Sequence, residues 1–361
     1  VCAKIIAKST AGGRDTDRPA LRREPMHCDL RPTEGPIPDG AELRVVYITG
    51  GGRTGSTVLD TILGNHPDVV SVGEACHVPQ KAWLNDGFCA CGERGGDCPF
   101  WSEVRRRWSL LTGVDAVDDY ARMIRELEAR QIWLPKLAAE ARRPESPYRE
   151  YVRLTGALMT AIGQASGKRI LVDSSKRASR AFALSLAAEV DLYVVHLVRD
   201  CRGVVYSGKK RFKKDEKHGV SKDDPGRKVS RSAMIWNVAN LQASWIRRQL
   251  PANRSIRVRY EDYATRPERE LERIGRLIGL DLGGVARAVA EGAPMRIGHT
   301  IAGNRLRMGG PVQLRADTQW MTELTAWDRW KCWALSGPLL WHYGYGARPR
   351  VQPEATLRRA A

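Results

Sequence analysis

Apolar positions recur along this chain in two periods. Val45, Val46, Tyr47 and Ile48 make the continuous β-favouring run of a buried strand. Val58, Leu59, Ile62 and Leu63 then repeat at helical spacing. Further on, Ile170 to Val172, Leu192 to Val198 and Ser255 to Tyr260 read as strands. Ala116 to Arg130, Tyr148 to Ser166, Ala178 to Ala188, Arg231 to Leu250 and Glu268 to Ile278 read as helices. Trp320, Trp327, Trp330 and Trp333 sit at helical separations in the tail, and Trp236 and Trp245 in an earlier helix; all are expected to anchor the core. Strands that end in polar residues and lead into helices predict an α/β chain: a P-loop-like, three-layer α/β/α fold around a central, mainly parallel sheet.

The breaks in this pattern set the organisation. Residues 1–40 are rich in Arg, Pro, Gly and Asp without a sustained period, which predicts an irregular arm. One domain is expected over 41–346, with acceptor-binding insertions at 76–166 and 209–231, and a flexible tail over 347–361. No apolar stretch approaches the ~18 residues of a membrane span. The N-terminus has no convincing cleavage region, so a cytoplasmic enzyme is expected.

Between the first strand and helix lies GGGRTGST. Gly50, Gly51, Gly52 and Gly55 permit tight backbone geometry, and Ser56 and Thr57 stand at a helix N-terminus, where free N–H groups and the dipole receive an anion. The outer frame of a phosphate-binding loop is met, but Ser56 occupies the lysine position, and Arg53 is the substitute cation.

Charge widens the field before chemistry narrows it. With 59 Lys plus Arg against 41 Asp plus Glu, the 361 residues carry a formal +18. That balance attracts nucleic acid, an anionic surface or a small acidic substrate alike. Its densest run, Lys209 to Arg231, reads as a mobile solvated loop able to touch an anionic ligand. Phe212 is its single aromatic, which argues against a stacking platform for single strands. No zinc finger or RNP motif accompanies the charge, so nucleic acid is not the expected partner.

Eight cysteines in a chain of this length do not imply a disulfide scaffold. Cys89, Cys91 and Cys98 cluster, and Cys76 or His77 can complete four zinc ligands. Packed thiols or a local disulfide are equally compatible with the spacing.

Together, GGRTGST, LVDSSK and HLVRDCRGVVYS resemble the sulfotransferases that use 3′-phosphoadenosine-5′-phosphosulfate, and among them bacterial members related to carbohydrate and tyrosyl-protein sulfotransferases. The resemblance runs from about Val45 to Gly346 and includes RYEDYATRPERELERIGRLIGL and GNRLR. It implies that Arg53, Thr54, Gly55, Ser56 and Thr57 hold the 5′-phosphosulfate and that Arg199 and Ser207 hold the 3′-phosphate. Tyr260 would support the donor pocket, and Arg305, with Arg307 beside it, would complete the 3′-phosphate or adenine surroundings. The late RKG-containing pattern of cytosolic relatives is missing. Glu74 is implied as the base, with His77 in reserve, and Lys176 and Arg53 as stabilisers of the transferring sulfonate. The expected products are a sulfate ester and adenosine 3′,5′-bisphosphate, formed in line and without a catalytic metal. The acceptor is expected to be a hydroxylated small molecule, a carbohydrate or a glycolipid, with homo-oligomerisation left open. A P-loop phosphotransferase and a basic nucleic-acid-binding protein are the competing readings.

Overall fold

Five strands, all parallel, form one sheet in the order β2-β3-β1-β4-β5: β1 Leu43–Gly50, β2 Val69–Ser71, β3 Ile170–Lys176, β4 Val190–Val198 and β5 Ser255–Arg259. The computed structural model describes residues 43–347, apart from 114–115, 129–132, 216–219 and 221–222. The expected arm, the tail beyond 347, the end of the helix expected to reach Arg130 and part of the basic run therefore lie outside the described residues.

The helices follow in chain order: α1 Ser56–Leu63, α2 Pro99–Thr112, α3 Val117–Leu127, α4 Leu134–Ala141, α5 Pro147–Ser166, α6 Ala178–Leu184, α7 Cys201–Lys209 and α8 Val229–Gln249. After β5 come α9 Tyr260–Thr265, α10 Pro267–Ile278, α11 Gly283–Ala290, α12 Trp320–Glu323 and α13 Ala326–His342. The fold is a three-layer α/β/α sandwich. Val45, Tyr47, Leu171, Leu192 and Val194 point into one core with α2, α5 and α6; Val46, Ile48, Val172, Val195 and Leu197 point into the other with α1, α10 and α11. Burial on both faces explains why the strands read as unbroken apolar runs rather than alternating ones. No helix among the described residues is long and apolar enough to cross a membrane.

One element is not read from the sequence, and one expectation changes. The short β2, Val69–Ser71, gives too few residues for a period to show and is held by pairing with β3. Trp320 and Trp236 are buried as expected, but Trp327 and Trp330 are 59% and 56% exposed and stack on each other, with ring centres 4.7 Å apart. Helical spacing aligned these two on one face of α13, and that face turns to solvent.

One irregularity positions chemistry. Tyr47 pairs with Asp173, but Thr49 pairs with Lys176, so β3 carries a bulge opposite β1. The bulge leaves Lys176 at φ 68°, a left-handed conformation uncommon for a lysine. Strand order reverses at β1, so the loop after β1 and the ends of β3 and β4 lie together at the carboxyl edge, where sheets of this type bind ligands.

Candidate active site

The loop from Gly50 to Gly55 joins β1 to α1. Gly55 stands at φ 85°, and a Cβ there would lie 2.7 Å from the Tyr260 ring and 2.8 Å from the Tyr263 hydroxyl. Only glycine meets both demands. Tyr263 also donates its hydroxyl to the Gly55 carbonyl at 3.1 Å, which fixes the entry to α1. Thr54 donates to the Gly51 carbonyl at 2.9 Å and is buried, as is Ser56; Thr57 is half-buried and accepts from the Asn304 amide at 3.4 Å. Thr54 thus braces the loop from within. The amides at the start of α1 and the Thr57 hydroxyl remain the loop's anion-facing features.

Cations gather around this loop. Arg53, at φ 65°, faces Asp224 at 3.7 Å and the Phe212 ring at 6.0 Å; Arg305 covers the same ring at 4.4 Å. Burial, followed by the neighbouring Arg227, lowers the Arg53 pKa below its ordinary value, with Asp224 opposing. The basic run contributes more than solvated charge here. Phe212 pairs with Asp224 across an antiparallel bridge, and Asp215 with Val220, which brings its aromatic and its acid beneath the arginines.

Glu74 lies just past β2, on a segment stitched to the end of β3. Ser174 donates its amide to the Gly73 carbonyl at 2.7 Å, and the Cys76 amide donates to Ser175 Oγ at 3.0 Å. Gly73, at φ 67°, has Thr300 so close that a Cβ would sit 2.2 Å from its methyl. The glycine before Glu74 therefore has a packing reason. Lys176 Nζ donates to Glu74 Oε1 at 2.8 Å and to the Ser174 carbonyl at 2.7 Å, while His77 Nε2 lies 3.4 Å from Glu74 Oε2. A Cβ on Gly303 would meet both Glu74 Oε1, at 3.8 Å, and Thr57 Oγ1, at 3.6 Å, so the carboxylate stands beside the start of α1.

The charges of this trio are interlocked. Burial works against ionised Glu74, but the Lys176 ammonium and the His77 ring outweigh it and hold the carboxyl well below the usual range. Cys76 and Glu74 raise His77 to about 10 against its burial. The ring nitrogen that faces Glu74 Oε2 is thereby placed as a donor to the carboxylate.

At the end of β4, Arg199 is buried. Its Nη1 donates to the Arg53 carbonyl at 3.1 Å, and its Nη2 to Asp317 Oδ2 at 2.9 Å, while the guanidinium covers the Tyr260 ring at 4.4 Å. Its Nε is buried without a hydrogen-bond partner. Ser207 is half-buried in the last turn of α7, the helix that follows Arg199.

Residues 46–283 match the sulfotransferase family. The chain belongs to that family. No curated protein matches it in sequence. Among solved structures it is similar to the sulfotransferase domain from the Synechococcus PCC 7002 olefin synthase, at 19% identity, covering 84% of this chain and 96% of that one, with a TM-score of 0.45. It is also similar to the sulfotransferase domain from the curacin biosynthetic pathway, at 15% identity, covering 83% and 98%, with a TM-score of 0.43. Sulfotransferase STF9 from Mycobacterium avium matches at 10% identity, covering 86% and 80%, with a TM-score of 0.45. The family assignment rests on the sequence match.

Within this sulfotransferase-family chain, the expected site residues divide by what they touch. Arg53, Gly55, Thr57, Glu74, Lys176 and Arg305 gather around the loop after β1. Tyr260 seats the loop and bonds to the 315–317 segment: its hydroxyl donates to the Arg315 carbonyl at 3.1 Å and accepts from the Asp317 amide at 3.0 Å. Arg307 is turned away to a structural task, donating to the carbonyls of Phe88 at 2.8 Å and Thr300 at 3.1 Å. Sequence reasoning missed Tyr263, Arg227 and Asp317. Tyr263 had a signal, since it follows Tyr260 at helical spacing.

Beside His77 opens a cavity of about 260 Å³, lined also by Gln80, Ile124, Arg125 and Arg177. A larger one, about 530 Å³, runs along β5 and the second half of α8 among Arg247, Arg248, Arg257 and Arg273. Neither Glu74 nor any donor-loop residue lines the larger cavity, so size alone does not mark the chemistry.

Proposed function

We propose that the chain moves a sulfonate group from 3′-phosphoadenosine-5′-phosphosulfate to a hydroxyl of a carbohydrate or small metabolite by in-line displacement. The observation that carries this reading is the 2.8 Å meeting of Glu74 and Lys176, from the ends of neighbouring strands, beside the start of α1. A nucleotide-binding loop alone needs no such pair; a proton acceptor next to an ammonium is what acyl-type or sulfonyl transfer from an anionic donor requires.

The residues fit a donor carrying phosphate at two positions. The α1 amides, Thr57, Arg53, Arg227 and Arg305 suit the 5′-phosphosulfate and its neighbourhood. Arg199, with its unpartnered Nε, and Ser207 suit the 3′-phosphate, and Tyr260 holds the floor between them. When bound, the donor supplies a sulfur whose bond to a phosphate oxygen breaks as the bond to the acceptor oxygen forms. Glu74 receives the acceptor's hydroxyl proton. Lys176 and Arg53 counter the charge that gathers on the sulfonate and on the departing phosphate oxygen.

The resting pair adds a step to this account. A carboxylate held below its usual range by an ammonium is a poor base. Lys176 leaving Glu74 for the sulfonate oxygens both strengthens Glu74 as a base and delivers the cation where charge develops. The donor thereby arms the base. The cavity lined by His77, which contacts Glu74, suits a compact hydroxylated acceptor.

The test is a binding and transfer experiment. The sulfated donor and adenosine 3′,5′-bisphosphate are expected to bind more tightly than ATP with magnesium, and labelled sulfonate is expected to appear on a hydroxylated metabolite from an extract. Preference for ATP with magnesium, and no label transferred, would overturn the assignment.

A further inference from the structure

Three cysteines expected to cluster do so, but their fourth partner is neither Cys76 nor His77. It is His299, from the far end of the chain, and the ligand atoms of Cys89, Cys91, Cys98 and His299 all lie within 4.8 Å of one another. Cys91 Sγ is 3.7 Å from Cys98 Sγ, and His299 Nδ1 is 3.2 Å from Cys98 Sγ and 3.9 Å from Cys89 Sγ. We propose that these four side chains bind one zinc ion that ties the loop before α2 to the segment carrying Arg305.

The separations match the geometry of a tetrahedral ion. Two thiolates about 2.3 Å from zinc stand about 3.8 Å apart at the tetrahedral angle, and a thiolate and an imidazole nitrogen about 3.6 Å apart. A disulfide requires about 2.05 Å, whereas the four ligand atoms form one group, all within 4.8 Å of one another. Three thiolates and one imidazole are soft and borderline ligands in a closed set, which selects zinc over calcium or magnesium and marks a structural site without an open position.

The surroundings are arranged for convergence. The Cys89 amide donates to the Glu93 carbonyl at 2.8 Å and the Gly92 amide to the Cys89 carbonyl at 3.0 Å, turning the loop so that its sulfurs face inward. Cys98 stands at the N-cap position of α2 and spends no side-chain bond on the helix, which leaves its sulfur to the cluster. Phe100 stacks on the His299 ring, centres 5.1 Å apart, and fixes its plane. Cys89 and Cys98 are buried, and Cys91 closes the site from the exposed side.

Two further bonds join the segments: the Ala90 amide to the Thr300 carbonyl at 2.9 Å, and Arg307 to the Phe88 carbonyl at 2.8 Å. Thr300 is the residue that presses on Gly73, and Gly303 lies against Glu74 and Thr57. The ion therefore stands one contact away from the segment that seats the proposed base, and its task is to hold that segment, not to touch the reaction.

The experiment is metal analysis of the full chain purified without chelator. About one zinc per chain is expected, falling to a tenth or less in Cys91→Ser and His299→Ala, with Cys76→Ser retaining the metal. Cobalt exchanged into the unaltered chain gives a reading that does not depend on a variant folding: intense thiolate-to-metal absorption and tetrahedral ligand-field bands are expected. Substoichiometric zinc after incubation with zinc salt, a weakly absorbing cobalt form, or a Cys91–Cys98 disulfide in non-reducing peptide mapping would each overturn the proposal.

Discussion

β3 ends in two ion-pair networks three positions apart, and they are built to opposite ends. Asp173 meets Arg180 at 3.0 Å, and Arg180 continues to Glu128 at 3.0 Å and to the Tyr120 hydroxyl at 3.3 Å; all three charged side chains are at most 2% exposed. Lys176 meets Glu74 at a similar 2.8 Å, but both are partly open, at 15% and 17%, and the lysine is held at a left-handed backbone position. Pair distance does not distinguish them. What differs is access to water and strain. The inner network is closed by Tyr47, Tyr120 and Tyr151 and joins α3, α6 and β3 into one body. The outer one keeps a lysine in a costly backbone conformation with its ammonium partly open to solvent.

Arg180→Ala is the harshest way to break that contrast. It would leave Asp173 and Glu128 as uncompensated buried charges and is expected to cost about 3–5 kcal/mol, read from denaturant unfolding. A cost below about 1 kcal/mol would mean that the inner network is as dispensable as a surface pair. Glu74→Gln should do the reverse. Transfer is expected to fall about 10²–10⁴-fold while donor affinity, measured by calorimetry, stays within a few-fold; transfer close to that of the unaltered chain removes Glu74 from the proposed role.

Lys176→Ala sharpens the comparison by moving a titration. In the resting site Glu74 titrates below its unfolded value, so its pairing stabilises the fold above about pH 4.3 and that contribution is lost as pH falls towards the folded value. Removing the ammonium lets burial push the carboxyl up. The acid limb of kcat/KM against pH, which reports the free enzyme, should therefore move to higher pH, with the plateau about 10²-fold lower. An unmoved limb would show that Lys176 does not set the charge of Glu74.

The chain announces the loop after β1 more plainly than the rest, and the reason is physical. Backbone recognition of an anion needs glycines and a strand-to-helix turn, and both are local patterns. Gly50, Gly55, Arg53 and the ends of β3 and β4 could be read for that reason. Lys176 could be placed at a strand end, but its bulge could not, because a bulge is a property of two paired strands. Asp317 and His299 act across contacts 118 and 201 residues long in sequence, and no local spacing records them. The three-residue β2 and the outward face of Trp327 and Trp330 escaped for a related cause: each depends on what the rest of the fold puts beside it.

The pairing of β1 with β4 has a consequence for what the carboxyl edge can measure. The two strands run in continuous register from Leu43 opposite Val190 to Gly50 opposite Leu197, and Arg199 reaches across to the carbonyl of Arg53. The loop and the arginine are thus the two jaws of a caliper whose opening is the spacing of adjacent strands, about 4.8 Å, extended by fixed side chains. On the proposed reading, a donor gripped by both jaws is selected by its length.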